Sequence, residues 1–229
     1  MDNRILRVGL KYKSDKITHH EYHDIYHMYL KDWYDKDGAM IEIGVEGGRS
    51  MSMWPEVFPN SNIYGMDIDL KCEWFEGERQ KLTERNKLIQ GDQSNEKDLE
   101  NLCNKVRHEN VFFINDDGSH IPEHQLLTFN RLFPLLCEGG IYIIEDIEVS
   151  YWKNGNLYGY EANYGYKNQK SIIEIFKEVA DSVNFEFSKQ TNGKVMHYDK
   201  IGSITFSKNC IIIVKKTQVH QEYIWEHFL

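Results

Sequence analysis

Asp116-Asp117-Gly118-Ser119-His120 and Glu145-Asp146 place up to four carboxylates and one imidazole directly after two short apolar runs, Val111-Phe112-Phe113-Ile114 and Ile141-Tyr142-Ile143-Ile144. Such runs read as buried strands of a parallel sheet. Open α/β sheets bind ligands beyond the carboxyl ends of their strands, so two adjacent strand ends would bring these groups to one spot. Carboxylate oxygens are hard ligands that suit Mg²⁺, which keeps an octahedral and partly hydrated shell. Asp117, Glu145 and Asp146 are the expected metal ligands. Vicinal hydroxyls of a substrate could replace two waters on such an ion. His120, three residues after Asp117, is placed to accept the hydroxyl proton as general base. The plainer readings are a helix-cap or turn role for Asp117 and a solvated strand end at Glu145-Asp146. A zinc pair of His120 and His124 is disfavoured, because Pro122 lies between them and no third soft ligand is evident.

A second group of residues suits a nucleotide-like cofactor. Glu42-Ile43-Gly44 closes an earlier apolar run, and Gly47, Gly48 and Ser50 follow. Glycines there let the backbone turn tightly and approach a ligand. Asp67 ends the next run, where a carboxylate can accept hydrogen bonds from ribose hydroxyls. Gly91-Asp92-Gln93 ends the third, in reach of an adenine edge. The spacing is not GxGxxG, so a dinucleotide is not the first choice. An acidic residue before the turn suits a cationic amino-acid group better than a pyrophosphate. S-adenosylmethionine (SAM) carries such a group with a sulfonium and a ribose.

These residues need a scaffold, and the pattern of the chain supplies one. The periodicity predicts a helix over 17–34, a break at Asp37-Gly38 and a strand over 40–45. A helix follows from about Ser50 to Pro59-Asn60. Strands are predicted over 63–68, 87–90, 111–114 and 141–144, with helices over 96–107 and 122–136 between them. A loop rich in Gly, Tyr and Asn covers 150–167, and its tyrosines suit the face of a sugar. A helix over 171–180 and a hairpin of strands over 200–206 and 210–215 complete the chain. The expectation is one α/β domain over 1–229: a helical lid over 1–36 and a core over 37–229. Its sheet is doubly wound and Rossmann-like, seven-stranded, mostly parallel, with an antiparallel C-terminal hairpin strand.

Composition bounds the partners. A net charge of −9 with no basic stripe argues against nucleic acid or an anionic membrane. Cys72, Cys103, Cys137 and Cys210 lie far apart without CxxC spacing, as reduced thiols do. The first residues carry no apolar signal segment, and no apolar run reaches the ~20 residues of a membrane span. A cytoplasmic protein is expected, with the aromatic residues of the first predicted helix offering a homo-oligomer contact. His19, His20, His23 and His27 in that helix read as a polar face rather than a metal site.

The chain resembles SAM-dependent sugar O-methyltransferases of the mycinamicin VI 2''-O-methyltransferase type. The matching segments are SDKITHHEY (14–22), IEIGVEGGRSMSMWPEVFPNSNIYGMDID (41–69), GDQ (91–93), INDDGSH (114–120), LFPLLCEGGIYIIED (132–146) and SYW (150–152). DDGSH with a downstream IED and SYW is the specific part. The resemblance implies a class I methyltransferase that uses SAM and Mg²⁺ (or Mn²⁺). It implies metal ligation by Asp117, Glu145 and Asp146, catalysis by His120 with Asp117, and a sugar-containing small molecule or glycan as acceptor. Asp15, Lys16, His20, Tyr22, Glu42, Gly44, Gly48, Ser50, Asp67, Asp92, Gln93 and Asp116 make up the expected cofactor set. The extra N-terminal domain of the macrolide enzyme is not expected. The rival expectations are a catechol-type O-methyltransferase and a non-catalytic SAM-binding regulatory domain.

Overall fold

The computed structural model describes residues 3–70, 81–191 and 193–217. Cys72 lies outside them, and Cys103, Cys137 and Cys210 are free thiols. Seven strands form one sheet: β1 (Gly38–Ile43), β2 (Ser61–Asp67), β3 (Asn86–Gln90), β4 (Val111–Asp116), β5 (Leu136–Glu145), β8 (Ile201–Ser207) and β9 (Cys210–Lys215). Their order is β3-β2-β1-β4-β5-β9-β8. Strands β1 to β5 run parallel, and β9 enters antiparallel between β5 and β8. The doubly wound sheet with its antiparallel C-terminal hairpin is as the sequence predicts. The strand order reverses between β1 and β4, so the crevice beyond their carboxyl ends is the natural ligand site.

Helices cover both faces. On one lie α5 (Glu96–Val106), α6 (Pro122–Leu132) and α7 (Ile172–Val183), which bury Leu99, Leu102, Phe129, Leu132, Phe176 and Val179. On the other lie α1 (Arg4–Tyr12), α2 (Asp15–Thr18), α3 (His23–Leu30) and α4 (Arg49–Val57). Ile5, Val8, Ile17, Tyr26, Leu30, Met53 and Trp54 fill that second core against Phe112 and Phe113. Pro122 stands in the first turn of α6, where its missing N–H is harmless. No helix among the described residues is long and apolar enough to cross a membrane.

The structure departs from the sequence pattern in four places. Within the expected helical segment over 1–36, a separate helix α1 precedes the one that the periodicity marks from residue 17; Asn3 caps it by accepting from the Leu6 N–H at 3.0 Å. The predicted helix over 17–34 divides into α2, α3 and a 3₁₀ turn, because Glu21 adopts a left-handed φ of 60°. Its aromatic side chains Tyr22 and Tyr26 are buried in the chain's own core rather than offered as a contact face. The loop predicted over 150–167 contains a small hairpin of β6 (Gly155–Leu157) and β7 (Tyr160–Ala162). Strand β5 begins at Leu136, ahead of the glycines expected to precede it; they appear instead as a break in register between its Leu136 and Ile141 pairings with β4.

Candidate active site

The tips of β1, β2, β4 and β5 surround a cavity of about 920 Å³, within the ~300–1,000 Å³ of small-molecule sites. Its floor depends on close backbone packing. Gly44 has φ 86°, and a Cβ there would collide with the Asp117 carbonyl. The Asp117 N–H donates to the Ile43 carbonyl at 2.9 Å, which ties the end of β4 to the end of β1. Gly118 leaves room for Gln93, whose Oε1 accepts from the Ser119 N–H at 2.8 Å.

At one end of the cavity, Asp117, His120 and Asp146 each offer a ligand atom, all within 4.8 Å of one another. His120 and Asp146 both adopt left-handed backbone, φ 58° and 51°. Such strain in non-glycine residues persists where the surroundings enforce it. The enforcing contacts at Asp146 are hydrogen bonds to its Oδ1 from the Tyr22 hydroxyl at 2.7 Å and from Asn209 Nδ2 at 2.9 Å. His120 Nε2 stands 3.9 Å from Asp146 Oδ2, and its buried Nδ1 has no partner among the described residues. His20 Nδ1 approaches Asp146 Oδ1 at 3.4 Å.

Glu145 sits behind this trio, buried. Its carboxylate accepts from Asn115 Nδ2 at 2.8 Å, from the Tyr26 hydroxyl, and from Lys16 Nζ at 3.1 Å. Burial pushes its carboxyl up to about 7, against the pull of Lys16. Lys16 is 1% exposed, and its ammonium also contacts Asp117 and reaches Glu42 at 3.4 Å. Burial works against that charge, yet Asp117, Glu145 and Glu42 hold its pKa well above the ordinary lysine value. Glu42 is fully buried and accepts from Ser50 Oγ at 2.7 Å and Trp54 Nε1 at 3.1 Å.

Gly44, Gly48, Ser50, Asp67, Asp92 and Gln93 also line the cavity, with Asp15. Asp67 Oδ2 accepts from the Val45 and Glu46 N–H groups at 2.6 and 2.9 Å, binding the glycine turn to the tip of β2. Lys16, His20, Tyr22, Glu42, Asp116 and Glu145 do not line it; they form the layer beneath and beside it. Asp116 is buried, accepts from Gln93 Nε2 at 2.5 Å and from the Tyr142 hydroxyl at 3.3 Å, and is pushed by burial to about 8. Tyr158 and Tyr160, on the β6–β7 hairpin, stand at the cavity wall, with the Tyr160 ring edge-on to His124 at 4.6 Å. Sequence reasoning missed Tyr26 and Asn209. The first read as core and the second as a hairpin turn, and no local signal ties either to a carboxylate more than 60 residues away.

No family model matches the chain. Among curated proteins it is 28% identical over 218 residues to an 8-demethyl-8-alpha-L-rhamnosyl tetracenomycin-C 2'-O-methyltransferase of Streptomyces olivaceus, covering 91% of this chain and 54% of that one. It is 34% identical over 134 residues to the mycinamicin VI 2''-O-methyltransferase of Micromonospora griseorubida, covering 56% and 31%. Among solved structures it matches the MycE methyltransferase in complex with Mg, SAH and mycinamycin VI, with a TM-score of 0.78 and 25% identity over 94% of this chain and 54% of that one. The chain thus spans about half the length, or less, of the relatives it matches. Its homologues are sugar O-methyltransferases, and its fold is that of the class I methyltransferases.

Proposed function

We propose that this chain is a SAM-dependent O-methyltransferase that modifies a hydroxyl of a sugar, a hexose or a deoxyhexose such as rhamnose, carried on a glycan or glycosylated metabolite. The observation that carries the reading is the meeting of Asp117, His120 and Asp146 at the wall of a cavity that a glycine turn and Asp67 also line. The sugar named in the rhamnosyl tetracenomycin relative supports the acceptor class.

The donor set fits Mg²⁺ or Mn²⁺: two carboxylates at strand tips, hard and close, with space for water on the cavity side. Asp117 and Asp146 would hold the ion, with Glu145 behind them as the third carboxylate. When bound, the ion would lower the pKa of an acceptor hydroxyl and fix a vicinal diol. His120 then takes the hydroxyl proton at Nε2 while the oxygen forms its bond to the methyl carbon. The carbon–sulfur bond breaks, and its electron pair stays on sulfur as a neutral thioether. Tyr22 and Asn209 hold Asp146 in its strained conformation, so His120 and the acidic groups keep their relative geometry. The glycine turn, Asp67, Asp92 and Gln93 hold SAM, and Tyr158 and Tyr160 cover the acceptor. In this reading residues 1–36 are a helical lid segment on a single domain over 1–229, and the free thiols among the described residues fit a reducing cytoplasm.

The test is methyl transfer by the purified chain from SAM to a panel of rhamnosides, other hexosides and catechols, with Mg²⁺ or with EDTA. Sugar methylation that EDTA abolishes and Mg²⁺ restores is the expected result. Methylation of catechols alone would replace the sugar reading, and full activity in EDTA would remove the metal.

A further inference from the structure

We propose that Lys16 is a tethered counter-ion that competes with the divalent cation for the acidic centre, so that metal entry is coupled to release of helix α2. The inference rests on the metal-dependent reading above and deepens it. Lys16 Nζ touches carboxylates from three strands: Glu42 of β1, Asp117 just past β4, and Glu145 of β5. A lysine so buried is costly unless paired, and here the pairing is with groups that would serve a metal.

Glu42, Asp117 and Glu145 share this one ammonium, so carboxyl groups outnumber cations there and a further cation can be drawn in. An ion on Asp117 would nonetheless lie beside the ammonium that already contacts that side chain. The two like charges repel in a poorly hydrated setting. Each therefore weakens the other's hold by the same factor. Lys16 belongs to α2, and its neighbour Asp15 lines the cofactor cavity. Loosening Lys16 therefore acts on the cavity wall as well as on the metal. The ammonium keeps the metal-free carboxylates compensated and ordered, and keeps the bound ion exchangeable.

The experiment is Mn²⁺ titration by calorimetry of the wild-type chain and Lys16→Met at one pH. Lys16→Met should bind Mn²⁺ at least about five-fold more tightly, melt lower without metal, and gain more in melting temperature from Mn²⁺ than the wild type. Should Lys16→Met fail to fold, the wild type is read directly: the ¹³Cε resonance of Lys16 should move and saturate as Mg²⁺ is added. Unchanged or weaker Mn²⁺ affinity in folded Lys16→Met would overturn the proposal while leaving the metal reading intact. So would a Lys16 signal that stays fixed while Mg²⁺ binds. Absence of Mn²⁺ binding in both proteins would overturn this proposal and the metal reading together.

Discussion

The Tyr22 hydroxyl donates to Asp146 Oδ1 at 2.7 Å, joining the N-terminal segment to the tip of β5 across 124 residues of chain. Tyr22 is 3% exposed, so this bond is made away from water. Hydrogen bonds to charged groups contribute about 1.5–3 kcal/mol. Tyr22→Phe should therefore lower unfolding free energy by about that amount in urea titration, and should reduce methyl transfer by letting Asp146 relax from its left-handed backbone. A variant as stable and as active as the wild type would show that Asn209 alone holds Asp146.

His120→Ala should reduce turnover by about 10²–10⁴-fold, the usual contribution of a general base. SAH affinity, measured by calorimetry, should be kept, because the proposed cofactor contacts are the glycine turn, Asp67, Asp92 and Gln93 and not His120. Loss of SAH binding in this variant would move His120 from proton transfer to cofactor binding.

Gly44 and Gly159 have nearly the same φ, 86° and 87°, but among the described residues only Gly44 faces a neighbour, the Asp117 backbone. Alanine at either position meets a cost for left-handed backbone of about 1–2 kcal/mol. Gly44→Ala must in addition push β4 away from β1. It should destabilise the chain well beyond Gly159→Ala in thermal melts and abolish SAH binding. Equal losses in the two variants would show that the approach of Gly44 to Asp117 carries nothing.

Asp116 and Glu145 are raised by burial, from 3.8 to about 8 and from 4.5 to about 7. Between each pair of values the folded chain retains a proton that the unfolded chain has released. Stability of the metal-free protein should therefore fall as pH rises through that window, by up to about 1.4 kcal/mol per pH unit and group, and level off above it. Melting in chelator at about pH 6 should exceed melting at about pH 8.5, and Asp116→Asn should flatten the difference. A metal-free protein equally stable across the window would place these carboxylates in the charged form when folded.

The sheet was legible in the sequence because its strands are local signals. Val111–Ile114 and Ile141–Ile144 are apolar runs buried on both faces, and a chain with five of them separated by helical patterns has few ways to fold. The meeting of Asp117 with Asp146 followed from the same logic, since both sit at the ends of neighbouring parallel strands. The small β6–β7 hairpin escaped notice because its strands are three residues long, too short for alternation to register. Pairing across long stretches of chain was decided by tertiary structure alone. Lys16 meets Asp117 over 101 residues, and Tyr22 meets Asp146 over 124. Local pattern marks a side chain as charged or apolar, but only the packing of α2 and α3 onto the sheet determines which carboxylate it neutralises.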